Sequence, residues 1–422
     1  MNILVLNAGS SSFKSSLYRL TGGEMPLDPV VPLWTGEVDW DSSGTVILKA
    51  KTTDRSVREE RSGMSRTTDI HDLLNLLWSG KTQVVNNIDE IDIVGNRVVH
   101  GGDKYRQPTL INAEVKAEID RLSIYAPLHN PANLMGIEAI ESLSSNMTQM
   151  AVFDTAFYRD LPKVAYVYPV PYQWLEQGIR KYGFHGISHQ YCTRRAAELL
   201  GRDLGELRLI SCHLGNGCSL AATKFGQCLD TTMGFTPLDG LVMGTRCGSI
   251  DPGIILHLLR EKEYTVEELD RVLNFESGLL GISGVSNDVR EIDKAIDSGN
   301  AKAKLALDIY IDRLAAKIAA LLPALGGLDA LIFTAGVGEH HAGIRAAVAS
   351  KLAFLGVEID SNLNSLSLPA EAGASSGDDR DLATERSPIR LLAIHTQEEW
   401  EIARTCWQYL NRLTVDTIPT AT

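Results

Sequence analysis

The sequence contains no Cys-x-x-Cys pair. Its six cysteines, Cys192, Cys212, Cys218, Cys228, Cys247 and Cys406, are scattered, and no histidine cluster stands beside them at ligand spacing. That argues against a disulfide framework and a structural zinc site and fits reduced thiols of the cytosolic pattern. No apolar stretch approaches the ~20 residues that a membrane span needs. The opening Met1-Asn2-Ile3-Leu4-Val5-Leu6 lacks the basic start and the length of a signal peptide. A cytoplasmic protein with no membrane partner is therefore expected. Positive charge is also in deficit, with 40 Lys and Arg against 53 Asp and Glu and a formal net charge of −13. As a whole-molecule field this repels nucleic acid, so no nucleic-acid partner is expected and any phosphate site must be a local basic pocket. The first glycine-rich turn is not a Walker A loop. Nor does a Gly-x-Gly-x-x-Gly with a following acid open a helix after the first strand, which argues against a Rossmann dehydrogenase.

What is present is ordinary globular composition, 44% hydrophobic and 22% charged over 422 residues, a length that favours two domains. Ile3–Leu6 reads as a buried strand that breaks into Asn7-Ala8-Gly9-Ser10-Ser11-Ser12 and resumes over Phe13–Tyr18. Leu207–Cys212 leads likewise into His213-Leu214-Gly215-Asn216-Gly217-Cys218-Ser219 and returns through Leu220-Ala221-Ala222. Overlaying Gly9 on Gly217 places Ser11 on Ser219, and a unit occurring twice predicts two homologous halves. Residues 36–66 are polar, with a strand-like piece at Val46-Ile47-Leu48, and read as an edge hairpin or excursion away from the chemistry. Helical patterns near 69–79, 113–123 and 132–143 alternate with strands at Ile91–Val94 and Met150–Phe153, which indicates an α/β sheet. In the second half Pro252 stands at a first helical position and Thr265-Val266-Glu267-Glu268 forms a capping box. A long helical pattern runs from about Ala301 to Leu322 and stops at Gly326-Gly327. The strand Ala330–Phe333 then leads through Gly336-Val337-Gly338 into a helix from about Glu339, which would offer N–H groups and a positive dipole end to an anion. Residues 370–388 read as a flexible surface loop, and an amphipathic helix follows Glu398.

Several segments have the makings of chemistry. Asn7 to Lys14 puts small side chains, hydroxyls and one lysine on a tight turn suited to phosphate oxygens, although a plain Gly/Ser hairpin has the same look. Asn216-Gly217 is equally the commonest hairpin turn signal. Three arginines, Arg97 before His100-Gly101-Gly102, Arg246 in Gly244-Thr245-Arg246-Cys247-Gly248, and Arg290 after Asn287-Asp288, lie among glycines or at loop edges. Paired guanidinium donors recognise both carboxylate and phosphate. Tyr182 to His189 packs His185 and His189 into a glycine-containing segment with no third metal ligand nearby, which favours hydrogen bonding to a transferring phosphoryl group. Asp154 ends an apolar strand, where α/β sheets place ligands. Asn7 and the carboxylates Glu398 and Glu399 are hard-oxygen partners for Mg²⁺.

Taken together, Val5 to Lys14, Tyr182 to His189, His213 to Ser219, Phe333 to Glu339 and Thr396 to Glu399 resemble, in order, the motifs of the acetate kinase family, and the likeness spans essentially the whole chain. The resemblance implies a duplicated actin-like, ribonuclease H-like α/β fold. Its two domains would span 1–154 with 398–422 and 155–397, with the active site in the cleft between halves and a homodimer in solution. It implies Mg²⁺-dependent in-line phosphoryl transfer between ATP and acetate, giving acetyl phosphate and ADP, with Mn²⁺ able to replace Mg²⁺. Position by position, Asn7 and Glu398 match metal ligands, and Ser10, Ser12 and Lys14 lie near ATP. Arg97 matches the carboxylate-binding arginine, and His185 and Arg246 match the groups that stabilise the phosphoryl in flight. His213, Leu214, Gly215, Asn216 and Gly217, then Asp288, Val289 and Arg290, then Gly336, Val337, Gly338, Glu339 and His340 match nucleotide-binding segments. Val99, Leu128, Phe184 and Pro237 match the pocket for the acyl methyl group.

Asp154 matches a residue described as a proton acceptor. Acetate has a pKa near 5 and is already ionised at neutral pH, so orienting Arg97 or a metal-bound water is the better physical role. The sequence departs from the family pattern at Asn96, Tyr158 and Gln397, where His, His and Asn are usual, and in longer segments near 40–65 and 370–388. These bear on substrate preference and regulation. A propionate or butyrate kinase of the same family remains open. An actin-like structural or chaperone ATPase would have no need of three glycine-flanked arginines around a small apolar pocket.

Overall fold

The computed structural model describes residues 1–9, 11–41, 44–127, 129–366 and 379–416, with side chains through 412. Ser10, expected near the nucleotide, and Leu128, expected in the acyl pocket, lie outside the described residues, as do residues 370–378 of the 370–388 segment. Two compact units divide the chain: Met1–Arg159 with Gln397–Thr422, and Asp160–Ala370 with Gly377–Thr396.

In the first unit, strands β1 (Asn2–Ala8), β2 (Ser12–Arg19), β3 (Trp34–Trp40), β4 (Thr45–Lys51), β5 (Ser56–Ser62), β6 (Ile93–Val98), β7 (Thr109–Leu110) and β8 (Gln149–Phe153) form one sheet in the order β5-β4-β3-β2-β1-β6-β8-β7. The second unit has β9 (Arg208–Leu214), β10 (Cys218–Lys224), β11 (Gln227–Thr231), β12 (Ala330–Thr334), β13 (Arg380–Asp381) and β14 (Arg390–Ala393), in the order β11-β10-β9-β12-β14-β13. Each sheet contains the same motif. Three antiparallel strands turn over at a hairpin and two parallel strands follow, β3-β2-β1-β6-β8 in one unit and β11-β10-β9-β12-β14 in the other. The motif occurs twice, as the repeated strand, turn, strand unit predicted, and the architecture is the duplicated actin-like fold that the family resemblance implied.

The register of the repeat differs from the glycine overlay. Asn7 pairs with Lys14 and His213 pairs with Ser219, while Gly9 N–H donates to Ser12 O and Gly215 N–H to Gly217 O. Gly9 therefore corresponds to Gly215. The first turn holds one residue more than the second, so matching glycines by identity slides the alignment.

Residues 36–66 complete β3 and add the strands β4 and β5 at the sheet edge. On β3 and β4, Trp34, Val38, Val46, Leu48 and Ala50 face a core completed by Ile70, Leu73, Leu74 and Ile140. The outermost strand carries Arg58, Glu59, Glu60 and Arg61, charges that discourage pairing with another chain. Helix Arg66–Asn75 begins earlier than its apolar pattern because the Ser65 side chain accepts from Thr68 N–H. The C-terminal helix Glu398–Asp416 lies on β1 and β6. Gly95 permits this approach, since a Cβ there would fall 2.6 Å from Ile402 Cγ2 and 2.7 Å from Cys406 Sγ.

In the second unit β12 is buried at every position, as a strand covered on both faces must be. Helix Ala301–Leu325 packs on β9, β10 and β11, and helix Gly186–Leu200 on β9 and β12. The Thr265–Glu268 capping box forms as predicted. Gly336-Val337-Gly338 is not a turn preceding a helix. The helix already spans Ala335–His340, because the Glu339 carboxylate accepts from Ala335 N–H at 2.7 Å, and the left-handed residue is Ala335 at φ 62°. The described end of the 370–388 segment is not a surface loop either: Asp379, Leu382, Ala383 and Ser387 are buried, and Asp379 pairs with Arg195 at 2.7 Å.

His100, just beyond β6, is fully buried, and its Nδ1 accepts from Gly102 N–H at 3.0 Å. Burial, reinforced by Arg121, pushes its pKa down to about 4. An unfolded chain would take up this proton near pH 6.5, so stability falls with acid across that window, by about 3 kcal/mol in all. Urea midpoints measured from pH 7.5 to 4.5 should decline accordingly. In His100→Asn, which keeps an acceptor for Gly102, the decline should flatten.

Candidate active site

In the first unit the ends of β1, β6 and β8 and the start of the C-terminal helix bring Asn7, Arg97, Asp154, Glu398 and Glu399 together. Arg97 donates to Asp154 Oδ2 from Nε at 3.1 Å and from Nη2 at 2.7 Å, and from Nη1 to Asn7 Oδ1 at 3.0 Å. Its Nη1 also lies 3.9 Å from Glu398 Oε2, and Asn7 Nδ2 donates to Glu399 Oε1 at 3.1 Å. Burial works against the guanidinium charge, but Asp154, Glu398 and Glu399 outweigh it and hold Arg97 protonated. Burial, with Asp154 and Glu399 adding to it against the pull of Arg97, raises Glu398 to about 7. Three carboxylates thus face one guanidinium, and the buried Asp154 Oδ1 has no hydrogen-bond partner among the described residues.

An excess of hard-oxygen donors with one orphaned oxygen fits a divalent cation. Among the described residues no three acidic, imidazole or thiol groups form a ready cage. An ion here would complete its shell from water and phosphate oxygens. Lys14 is half-exposed beside Glu37 at 3.8 Å. It lines a cavity of about 450 Å³ together with Glu37, Lys49, Arg58, Gln397 and Glu399. Ser12 opens β2, and Val99 is buried just past β6 with its N–H on Asn133.

A second cluster lies in the second unit. His185 caps helix Gly186–Leu200 in the left-handed region at φ 58°. Its ring stacks on His213 with centroids 4.2 Å apart. A Cβ on Gly217 would lie 3.3 Å from Arg246 Nη1 and 3.5 Å from His185 Nε2, so both side chains overhang that turn. Arg246 donates from Nη1 to Pro237 O at 3.1 Å, and no described carboxylate pairs with it. Burial lowers its pKa, the response of a cation lacking a counter-ion. Phe184 is buried, and Pro237 is half-buried.

The sequence-predicted nucleotide segments gather in the same unit. Asn216 O accepts from Gly244 N–H at 3.0 Å, and Asn216 Oδ1 accepts from Asn287 Nδ2 at 3.0 Å. Leu214 and Gly215 belong to the same hairpin. Asp288 caps helix Val289–Asp297 and pairs with the exposed Arg290. Arg290 is therefore an exposed side chain with an acidic partner, unlike Arg246. Helix Ala335–His340 carries Gly336, Val337 and Gly338. Glu339 is buried, and its carboxylate is consumed within the protein by Ala335 N–H, Thr396 N–H and His395. Burial pushes that carboxyl up, but His395 and the Thr396 N–H prevail and hold it below the usual range. His340 is partly exposed beside it.

A family model described as the acetokinase family matches residues 2–404. The chain belongs to the acetokinase family. It is 57% identical over 414 residues to the acetate kinase of Gloeobacter violaceus, covering 98% of this chain and 100% of that protein. It is 57% identical over 412 residues to the acetate kinase of a Cyanothece species, covering 97% and 98%. Among solved structures, Porphyromonas gingivalis acetate kinase superposes with a TM-score of 0.85 at 38% identity, covering 97% of this chain and 99% of that one. A Francisella tularensis propionate kinase superposes with a TM-score of 0.85 at 37% identity, covering 96% and 98%.

Where the acetokinase chain departs from its family's usual pattern, two of the side chains are internal. Asn96 donates to Gln149 at 3.1 Å and Tyr158 is buried. Sequence reasoning did not single out Glu399 over its neighbour as the partner of Asn7, and it missed Gly278. That glycine, at φ 63°, lies under the Arg246 loop: a Cβ would fall 2.2 Å from Met243 O and 2.8 Å from Arg246 O. Three backbone bonds, Ser277 N to Thr245 O, Leu279 N to Met243 O and Leu280 N to Gly244 O, clamp the loop there. No local signal marks this position, since its partners lie more than thirty residues away in sequence. Gly278→Ala should displace the loop. A shift of about 1 Å in a reacting group costs on the order of 10²-fold in kcat, which steady-state kinetics on the folded variant will show.

Proposed function

We propose that the chain is an acetate kinase, transferring the γ-phosphoryl group of ATP to acetate to give acetyl phosphate and ADP, and running the reverse reaction with the same groups. Arg246 carries the reading. A guanidinium without a carboxylate partner among the described residues, set beside His185 over a glycine turn, suits an anion that spreads charge over several oxygens.

Of the five N–H groups of a guanidinium, Asp154 and Asn7 engage three on Arg97, and the remainder can hold the acetate carboxylate. Acetate is ionised at neutral pH, so no proton need leave before attack, and Asp154 acts by orienting Arg97. An acetate oxygen attacks the γ-phosphorus in line, the bond to the bridging oxygen breaks, and ADP departs with that electron pair. His185 and Arg246 donate to the equatorial oxygens as their charge grows. Mg²⁺, or Mn²⁺ in its place, held by Asn7 and Glu398, would supply positive charge to the nucleotide phosphates. Nucleotide contacts fall to Lys14 and Ser12, the His213–Gly217 hairpin, the Asp288–Arg290 turn and the Gly336–His340 helix. The family resemblance assigns Val99, Phe184 and Pro237 to the acyl methyl group.

The deciding assay traps acyl phosphate as hydroxamate from purified protein with ATP, Mg²⁺ and acetate, propionate or butyrate in parallel. Acetate should give the highest kcat/KM, and chelation of the metal should abolish turnover. ATP hydrolysis without hydroxamate would defeat the reading. A faster reaction with propionate would move the chain to the second substrate class, which the Francisella likeness keeps in view. One methylene is worth only about 1–3 kcal/mol of discrimination.

A cytoplasmic homodimer completes the proposal. No described helix is long and apolar enough to cross a membrane. Helix Pro252–Arg260 buries none of its residues, and Ile254, Leu256 and the nearby Val266 are exposed, an apolar surface of the kind that self-association covers. Sedimentation should give a dimer, and Ile254→Glu with Leu256→Glu should shift it toward monomer.

A further inference from the structure

Behind His185 the second unit contains a chain of hydroxyls and imidazoles. His185 Nδ1 lies 2.9 Å from Ser219 Oγ, and His189 Nε2 lies 2.7 Å from the same oxygen. His189 Nδ1 lies 2.6 Å from Ser211 Oγ. Ser211, His189 and Ser219 are wholly closed to solvent, so the proton on each link is set by its neighbours rather than by bulk water. A hydroxyl gives one hydrogen, and a neutral imidazole has one N–H and one lone pair. His189 is neutral, because burial, with His213 beside it, depresses its pKa well below the imidazole range. Such a chain has two self-consistent directions, and they leave opposite faces on His185.

We infer that Ser219 is a positioning residue for His185: Ser211 O–H donates to His189 Nδ1, His189 Nε2–H donates to Ser219, and Ser219 O–H donates to His185 Nδ1, so that His185 carries its own proton on Nε2. This rests on the phosphoryl-binding part proposed for His185. Nε2 is the nitrogen that overhangs Gly217 beside Arg246. With the chain running this way a neutral His185 presents an N–H to an anionic oxygen. Run in reverse, Ser219 accepts from His185, and a neutral ring turns a lone pair toward the phosphoryl group.

Two further features keep the ring in place. Ser219 sits on β10 paired with His213 of β9, so its hydroxyl is anchored on a rigid ladder. His213 stacks on His185 and is itself tied through Nδ1 to Ser188 Oγ at 2.8 Å. The stack fixes the plane of the His185 ring and Ser219 fixes which nitrogen carries hydrogen, a division of labour known from tautomer-setting carboxylates.

The test compares full-length wild type, Ser219→Ala and Ser219→Thr. Ser219→Ala should lower kcat on the order of 10²-fold, the cost of losing one donor aimed at charge that develops in the transition state, with the KM for ATP and acetate changed by less than about threefold. Ser219→Thr, which keeps the hydroxyl, should recover most of the rate. In ¹⁵N-histidine-labelled wild-type protein, with the His185 ring assigned by its disappearance in His185→Gln, nitrogen shifts should report the Nε2–H form. Ser219→Ala should convert this to a mixture. An Nδ1–H ring in wild type, or a full-rate Ser219→Ala enzyme, would overturn the inference. Should Ser219→Ala not fold, the wild-type tautomer decides alone. Because that readout needs no turnover, it also separates this inference from the reaction: a wild-type protein making no acyl phosphate sinks the reaction and leaves the chain direction measurable.

Discussion

Arg246→Ala should lower kcat by on the order of 10²-fold or more, the cost of losing a single donor aimed at charge that develops in the transition state. Its effect on folding should be small or even favourable. The guanidinium donates to one carbonyl and has no described carboxylate partner, and burial disfavours its charge, so removing it relieves a desolvated cation. A group that costs stability while at rest and contributes only when an anion arrives is the signature of a binding residue. Thermal melts should therefore stay level or rise while the acyl-phosphate rate collapses. A full-rate enzyme would show that the arginine merely fills space. Arg246→Lys should recover only part of the rate, since an ammonium offers a point charge and not a planar fork.

Arg97→Ala should show the opposite balance. Here the guanidinium is the cation that three carboxylates share, and its removal leaves Asp154, Glu398 and Glu399 facing one another in a largely buried space. Breaking a buried ion pair by deleting one partner costs about 3–5 kcal/mol, so this variant should lose both stability and activity. Mg²⁺ should restore part of the stability in a thermal shift, because it replaces the missing charge. Asp154→Asn separates the two proposed parts of that acid. If Asp154 orients Arg97 through the pair of bonds to Oδ2, the KM for acetate should rise and the pH profile of kcat should keep its shape. A new titration with unchanged acetate and metal affinity would instead mark a proton acceptor.

Much of this arrangement could be read along the chain. The hairpins at Gly9 and Gly215–Gly217 announce themselves through apolar runs broken by small residues, and their recurrence foretells two copies of one sheet motif. Boundaries were less legible where a side chain from outside the pattern intervenes. Ser65 starts its helix before the apolar stripe begins, and the Glu339 carboxylate, reaching back to Ala335 N–H, turns an apparent glycine turn into helix. The segment around 380–388 looked like solvent-exposed loop because its composition is polar. It is partly interior because Arg195, nearly two hundred residues earlier, supplies the charge that Asp379 needs.

Residue types and their order by themselves determined the family, the duplicated α/β architecture and the identity of most candidate site residues, because these rest on local spacing, which a chain carries in one dimension. Only the tertiary structure decided how those residues divide their tasks. Two arginines in similar glycine-rich settings differ because one is ringed by carboxylates and the other is met by a carbonyl. A third, Arg290, pairs with its neighbour Asp288 in solvent. Charge, burial and hydrogen-bond direction depend on what folding brings within about 4 Å, where Coulomb and hydrogen-bond energies become large, and sequence separation sets no bound on that distance.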